Sequence, residues 1–153
     1  MSASRDPLDQ DIETHLAVPT VEVYCDLRVR AGLSARSPEA AAAGLRGSLF
    51  AVQLRLGGRT VGMGRVIGDG GCTYQVVDIA VLPEHQGKGL GKRIMAEIMH
   101  FIDRQVPESA YVSLLADGDA HHLYRQFGFE ATAPASIGMA LKRPRPPSRG
   151  QGV

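Results

Sequence analysis

Cysteine is scarce. Cys25 and Cys72 are the only two in 153 residues, far apart and without the spacing of metal ligands. That excludes a disulfide-stapled scaffold, and the pair reads as two small thiols of a reducing compartment. Charge of one sign is also lacking: 17 basic residues stand against 16 acidic ones, a formal net charge of +1. No global field draws nucleic acid or anionic lipid, so any basic patch must be local. No apolar run nears the ~20 residues that cross a bilayer. Met1-Ser2-Ala3-Ser4-Arg5-Asp6-Pro7 has no apolar core of a secretory signal. The expectation is a cytoplasmic chain with no metal site and neither nucleic acid nor a membrane as partner.

What remains is the composition of one globular domain, 44% hydrophobic and 22% charged. Residues 1–10 are polar and read as a flexible start. Residues 143–153, RPRPPSRGQGV, read as a disordered Pro/Arg-rich tail. A single domain is expected over 11–142. A short first strand is predicted over residues 11–18. Val21, Tyr24, Leu27 and Ala31 then share a helical face stopped by Gly32, and Ser37-Pro38-Glu39 opens a second helix as N-cap and first helical residue. Strands at 49–56 and 60–67 flank Gly57-Gly58, a hairpin signal.

Residues 73–82 form a nearly unbroken apolar run with Asp78 inside it, the pattern of a strand covered on both faces. Leu90, Ile94, Ile98, Phe101 and Ile102 recur at helical spacing up to about Val106. Residues 111–115 read as another strand, Ala120, Leu123, Tyr124 and Phe127 as a short helix closed by Gly128, and 137–142 as a last strand. The alternation of helices and strands predicts an α/β fold with a mixed sheet.

Between the apolar strand and the long helix lies Gln86-Gly87-Lys88-Gly89-Leu90-Gly91-Lys92. The first turn of a helix leaves amide N–H groups unpartnered, and its dipole adds positive charge there. Glycines let an anion approach the backbone, and Lys88, Lys92 and Arg93 supply mobile charge, which together make a phosphate cradle. The Walker spacing fails because neither Gly-Lys pair is followed by Ser or Thr. The dinucleotide fingerprint fails because its last glycine would fall on Lys92 or Ile94. A tight strand-to-helix connection would account for the glycines equally well.

The spacing Q-x-x-G-x-G does fit. With Val77-Asp78-Ile79-Ala80-Val81-Leu82-Pro83 before it, it resembles the acetyl-CoA motif of the GNAT N-acetyltransferase superfamily. Downstream, Ala120-His121-His122-Leu123-Tyr124-Arg125-Gln126-Phe127-Gly128-Phe129 is similar to that superfamily's A-x-x-L-Y-x-x-x-G-F segment. The resemblance covers roughly residues 49–130. It implies a mixed, mostly antiparallel sheet with a splayed strand pair and helices on both faces. It also implies acetyl-CoA as cosubstrate, an amine as acceptor, and pairing as a homodimer.

By the same resemblance, the backbone of Ile79, Ala80 and Val81 pairs with the pantetheine arm. The amides of Gln86, Gly87, Lys88, Gly89, Leu90, Gly91 and Lys92 hold the pyrophosphate. Tyr124 matches the tyrosine near the acyl sulfur, a general acid for the departing thiolate; on periodicity alone it reads as a core residue. Asp117 stands where many relatives carry an asparagine that contacts the cofactor. An amine acceptor must also lose a proton, and Asp78 is a candidate base, with a structural hydrogen-bond acceptor as its other reading. His121 and His122 read as solvated, and His85 lies by the cradle. The segment expected to shape the acceptor pocket contains Tyr24, Asp26, Leu27, Arg28, Arg30 and Leu33 and names no substrate. Its Glu22 and Asp26 have two readings, attraction of a cationic amine and a solvated helix face, and the second is favoured. A non-catalytic acyl-CoA sensor is the alternative to an enzyme.

Overall fold

Turn chemistry sets the order of the sheet. In the computed structural model, which describes residues 11–144, Gly57 and Gly58 join β2 (Phe50–Leu56) to β3 (Arg59–Gly68) as a tight antiparallel hairpin. Asp69 shapes the next connection: its Oδ1 accepts from the backbone N–H of Gly71, Cys72 and Thr73 at 2.9, 2.8 and 3.0 Å. These bonds, Thr73's foremost, hold its carboxyl below the usual carboxylate range. The chain then runs into β4 (Thr73–Val81), antiparallel to β3. β1 (Ile12–His15) pairs antiparallel with β2, and β5 (Tyr111–Leu114) lies parallel to β4. One five-stranded sheet results, in the order β1-β2-β3-β4-β5. It is mixed and mostly antiparallel, as the sequence implied.

Helices cover both faces. α1 (Val21–Arg30) starts where Thr20 Oγ1 accepts from Val23 N–H, and α2 (Pro38–Arg46) where Ser37 Oγ accepts from Ala40 N–H. Both sit on the face toward which Arg65 points, since its Nη1 reaches Gly44 O in α2. α3 (Leu90–Gln105) covers the opposite face with Leu90, Ile94, Met95 and Ile98, all buried. α4 (His121–Arg125) is short and packs on the start of α3, where a Cβ on Gly91 would come within 3.1 Å of Leu123 Cδ2.

Gly64 in β3 lets α3 come down onto the sheet. A Cβ there would stand 2.6 Å from Ile94 Cγ2, 2.7 Å from Ile79 Cδ1 and 3.0 Å from Ile98 Cδ1. It also faces the irregularity of β4: Met63 pairs with Ala80 and Arg65 with Val77, so Asp78 and Ile79 together oppose Gly64 in a β-bulge.

Two expectations change. The first strand is Ile12–His15 rather than 11–18, because Leu16 and Val18 are exposed and unpaired beyond it. Residues 137–142 form no strand. Their alternating Ile137, Met139 and Leu141 stand 70, 87 and 86% exposed, since no sheet edge is paired to them among the described residues. The expected flexible start (1–10) and tail from residue 145 onward lie outside the described residues.

Filling the space at Gly64 tests this packing. Gly64→Ala should lower stability by about 1–3 kcal/mol through overpacking against three isoleucines. Gly71→Ala, where a Cβ meets nothing within 4 Å, should leave it unchanged. Denaturant midpoints measure both, and equal midpoints for Gly64→Ala and the parent would contradict the close approach.

Candidate active site

Asp78 occupies an unusual place for a carboxylate. It sits at φ +58°, the single non-glycine residue with positive φ among the described residues, in the middle of a sheet. Such a conformation costs an L-residue about 1–2 kcal/mol, so surrounding contacts must hold it. Three donors do. Tyr24 Oη donates to Oδ2 at 2.8 Å, Arg65 Nε donates to the same oxygen at 2.8 Å, and Arg28 Nη1 bonds Oδ1. The side chains of Arg28, Arg65 and Asp78 are only 6, 8 and 9% exposed. Burial foremost, then the Asp78 charge, raises the Tyr24 pKa, so the phenol stays a donor. Both guanidiniums also lie by the Tyr24 ring, 5.7 and 5.4 Å from its centroid.

Beyond the bulge β4 changes its company. Its pairing with β5 ends at Val76–Leu114, so residues 77–81 have no strand on that side among the described residues. The two strands part there, and the backbone of Ile79, Ala80 and Val81 is left with one bare edge. Ala80 is buried while Ile79 and Val81 are half-buried, so their side chains pack and only their main chain is on offer.

The glycine turn follows directly. A 3₁₀ turn, Pro83–His85, leads to Gln86, whose Nε2 donates to Val81 O at 3.1 Å and ties the turn to the strand. Gly87 and Gly89 adopt φ +77° and +81°, left-handed backbone that other residues enter at a cost, and a Cβ on either would meet only open space. Gly89 is the N-cap of α3 and offers no side chain, so the first amides of the helix are uncapped and face outward. Lys88 and Lys92 are exposed beside them. Uncapped amides, empty space above two glycines and two mobile ammonium groups fit a pyrophosphate. Arg93 is turned elsewhere: its Nη2 donates to Ile12 O and Thr14 Oγ1 in β1 at 3.0 and 3.1 Å.

Tyr124 on α4 is 8% exposed, and its ring meets Phe129 edge-on at 6.5 Å. Burial, and then the negative charge of Asp117, raise its pKa, so at neutral pH the phenol keeps its proton. Asp117, which stands where many relatives carry an asparagine, lines the cavity that Asp78 also borders. His121 Nδ1 lies 3.0 Å from Gly118 O, and its ring is tilted by 38° against that of the exposed His122, centroids 4.1 Å apart. Asp26 is exposed and pairs with Arg30 at 3.6 Å, while Glu22 is exposed on the first turn of α1.

A cavity of about 470 Å³ opens at the mouth of the strand split. Gln75 to Asp78 of β4 form one wall, Leu115 and Asp117 another, and Arg28, Leu33, Ser34 and Arg36 the third. Arg28, Arg65 and Tyr24 were not singled out as site residues from sequence, although an acid inside an apolar run announces that some partner must exist. The same holds for Ser34 and Arg36. They follow α1 in sequence and meet β4 only in the folded chain.

The sequence model of the acetyltransferase (GNAT) domain matches residues 46–131, more than half of the chain. The chain belongs to the GNAT acetyltransferase family. The matched GNAT stretch contains β4, the glycine turn, α3, β5 and Tyr124, and leaves out α1 with Tyr24 and Arg28. GCN5-related N-acetyltransferase 2, chloroplastic, of Arabidopsis thaliana is 31% identical over 81 residues, 53% of this chain and 31% of that protein. Serotonin N-acetyltransferase 2, chloroplastic, of Oryza sativa subsp. japonica is 34% identical over 88 residues, 58% of this chain and 43% of that one. The chain therefore spans less than half the length of these curated relatives. A solved structure from methicillin-resistant Staphylococcus aureus, described as a protein of unknown function and "Probable Acetyltransferase", is 49% identical with a TM-score of 0.82, covering 86% of this chain and 99% of that chain. A GNAT family acetyltransferase from Streptococcus pneumoniae, at 24% identity, 0.71 TM-score, and 88% and 99% coverage, shares the fold. The curated relatives carry N-acetyltransferase names and the Staphylococcus structure the words "Probable Acetyltransferase".

The buried ion pairs give a sharp contrast with the surface. Asp78→Asn leaves two guanidiniums buried without an anion and should cost about 3–5 kcal/mol of stability. Asp26→Asn, at the exposed pair, should cost under about 1 kcal/mol. Denaturation with urea compares them; a loss at Asp78 no larger than at Asp26 would show that the cluster does not hold the bulge.

Proposed function

We propose that this chain transfers an acetyl group from acetyl-CoA directly to a primary amine of a small molecule or peptide. The observation that carries the reading is the run of bare β4 main chain leading straight into an uncapped, glycine-lined helix start. Ile79, Ala80 and Val81 offer N–H and C=O groups for the amide-bearing pantetheine arm to pair with as an added strand. Gln86 to Lys92 offer amides for the pyrophosphate, with Lys88 and Lys92 over it. Beyond the split lies the cavity by Arg28, Arg36 and Asp117, which suits the acceptor.

In this reading the neutral amine attacks the thioester carbonyl, the C–N bond forms, and the C–S bond breaks as CoA leaves. Tyr124 gives its proton to the departing thiolate: a phenol near pKa ~10 and a thiol near ~8.5 are close enough to share one. The acceptor must shed a proton too, because a lysine-like amine of pKa ~10.4 is free base in only about one molecule in a thousand at pH 7. Asp78 was a candidate for taking it. With Oδ1 on Arg28 and Oδ2 on both Tyr24 and Arg65, it serves better as the group that holds the bulge. Solvent in the cavity then receives the proton. That same engagement of Asp78 favours a second reading, a non-catalytic acyl-CoA sensor. Release of free thiol from acetyl-CoA across a panel of amines separates the two: binding without release above background selects the sensor. The free thiols of Cys25 and Cys72 suit a reducing compartment, and we place the chain in the cytoplasm.

Two variants test the donor side. Gly89→Glu puts a carboxylate over the amides and should abolish acetyl-CoA binding in calorimetry while circular dichroism stays native; unchanged affinity would sink the cofactor assignment. Tyr124→Phe should lower kcat by about 10²–10⁴-fold with little change in KM for acetyl-CoA. Because the phenol's pKa is raised, the parent's kcat should show no alkaline fall from this acid below about pH 10. Equal rates for parent and Tyr124→Phe would make the tyrosine a packing residue only.

A further inference from the structure

The cavity at the strand split carries its charges unevenly. Four charged side chains line it: Arg28 of α1, Arg36 of the loop after α1, Asp78 of β4 and Asp117 beyond β5. Asp78 is shared, because Arg65 Nε donates to the same carboxylate that Arg28 bonds. On the arginine side, Arg28, Arg36 and Arg65 stand against one carboxylate, an excess of two positive charges. Asp117 lies on another wall and has no ion-pair partner among the described residues. It stands immediately before the turn Gly118–Ala120, which runs straight into α4 and Tyr124. The pocket is positive on the α1 side and negative on the loop that leads to Tyr124.

Ser34 gathers the arginines. Its Oγ accepts from Arg28 Nη2 at 3.1 Å and from Arg36 Nη1 at 2.7 Å, and its carbonyl accepts from Arg28 Nε at 2.8 Å. With Nη1 on Asp78, all three nitrogens of Arg28 are engaged. Arg36 keeps donors in hand. Its Nη1 also reaches Ala35 O at 3.3 Å, but Nε and Nη2 have no acceptor among the described residues, and neither has the hydroxyl hydrogen of Ser34. Two guanidiniums drawn to one hydroxyl repel each other, and an anion between them relieves that repulsion. The planar N–H fork of Arg36 takes a carboxylate through two parallel hydrogen bonds.

We infer that the acceptor is a small amine that carries its own carboxylate. Arg36 and the Ser34 hydroxyl hold the carboxylate, and Asp117 draws the ammonium end toward the Tyr124 side. Arg36 is then a specificity-determining residue. The inference rests on the acetyl-transfer reading, in which this cavity takes the acceptor. A volume of about 470 Å³ is ample for such a molecule. A polyamine would set a further cation against the arginines, and an amine without an anionic group would leave Arg36 unanswered. The ammonium form and acetyl-CoA give the N-acetyl amino carboxylate, CoA thiol and one proton, which passes to solvent.

Matched amines test this on the full chain. Thiol release from acetyl-CoA is compared for lysine against cadaverine, ornithine against putrescine and phenylalanine against phenethylamine, pairs that differ only by the carboxylate. In at least one pair the carboxylate member should have a kcat/KM about 10–100-fold higher, the worth of a hydrogen bond to a charged group. Arg36→Gln should bring that ratio to about one through the KM for the amine, with the KM for acetyl-CoA unchanged, and Arg36→Lys should restore part of it. Equal or better use of the decarboxylated member in every pair overturns the inference, as does an Arg36→Gln loss that falls equally on both members. A preference for phosphoethanolamine over β-alanine also overturns it, and assigns the site to phosphate. If no amine releases thiol, the acetyl-transfer reading fails and binding decides the inference by itself. Calorimetry with CoA present should then show lysine or phenylalanine bound where cadaverine and phenethylamine are not, and Arg36→Gln should lose that binding. No such difference overturns the carboxylate site.

Discussion

A carboxylate at the centre of a sheet, in left-handed backbone, depends on what holds it. Asp78 is held by Tyr24 and Arg28 from α1 and by Arg65 from β3, three groups from two elements converging on two oxygens. The two guanidiniums would be as costly to bury without Asp78 as Asp78 without them. Their arrangement fixes the bulge, and the bulge sets where β4 turns away from β5. The bare edge of β4, the glycine turn and the cavity at the strand split all follow from that parting. The interaction is thus a specifying one more than a stabilising one: it chooses a backbone path that an uninterrupted strand would not take.

The opposite face of the sheet answers the same constraint with bulk instead of charge. Gly64 sits across from Asp78 and Ile79, and its missing side chain lets Ile94 and Ile98 of α3 close over the bulge. α3 begins at the glycine turn, so its depth against the sheet also sets the height of the uncapped amides. Gln86 bonded to Val81 O fastens the turn to the strand from below. Charge on one face and close packing on the other leave the bulge little freedom to relax.

Much of this was legible in the residues, and the rest was hidden for a definite reason. Local signals served well: Ser37 before Pro38, Gly57-Gly58 between alternating runs, and the apolar stripe of α3 act over a few residues and appear where the chain places them. The turn into α3 and the short helix that carries Tyr124 could be placed because a motif supplies spacing. The Asp78 cluster joins residues 54, 50 and 13 positions apart, and no periodicity connects them. Its only trace was an acid within an apolar run. Arg28 beside Leu27, and Arg65 beside Val66, look like surface charges until the fold brings both to one carboxylate. Residues 137–142 mislead in the other direction. Their alternation is strand-like, but a strand also needs a neighbour, and neighbours are not written in the segment itself.

On the proposed reading, the bare edge of β4 and the glycine turn have a consequence for how such a chain can drift. Where a ligand is gripped through amides and carbonyls, selection acts on conformation and hardly on side-chain identity. Ile79, Ala80 and Val81 are then free to exchange among residues that pack, while Gly87 and Gly89, at φ +77° and +81°, are not. The cavity by Leu33, Ser34 and Arg36 is built the other way, from side chains on a connecting loop. One half of the cleft can keep its partner through extensive sequence change, and the other can acquire a new one by a few substitutions.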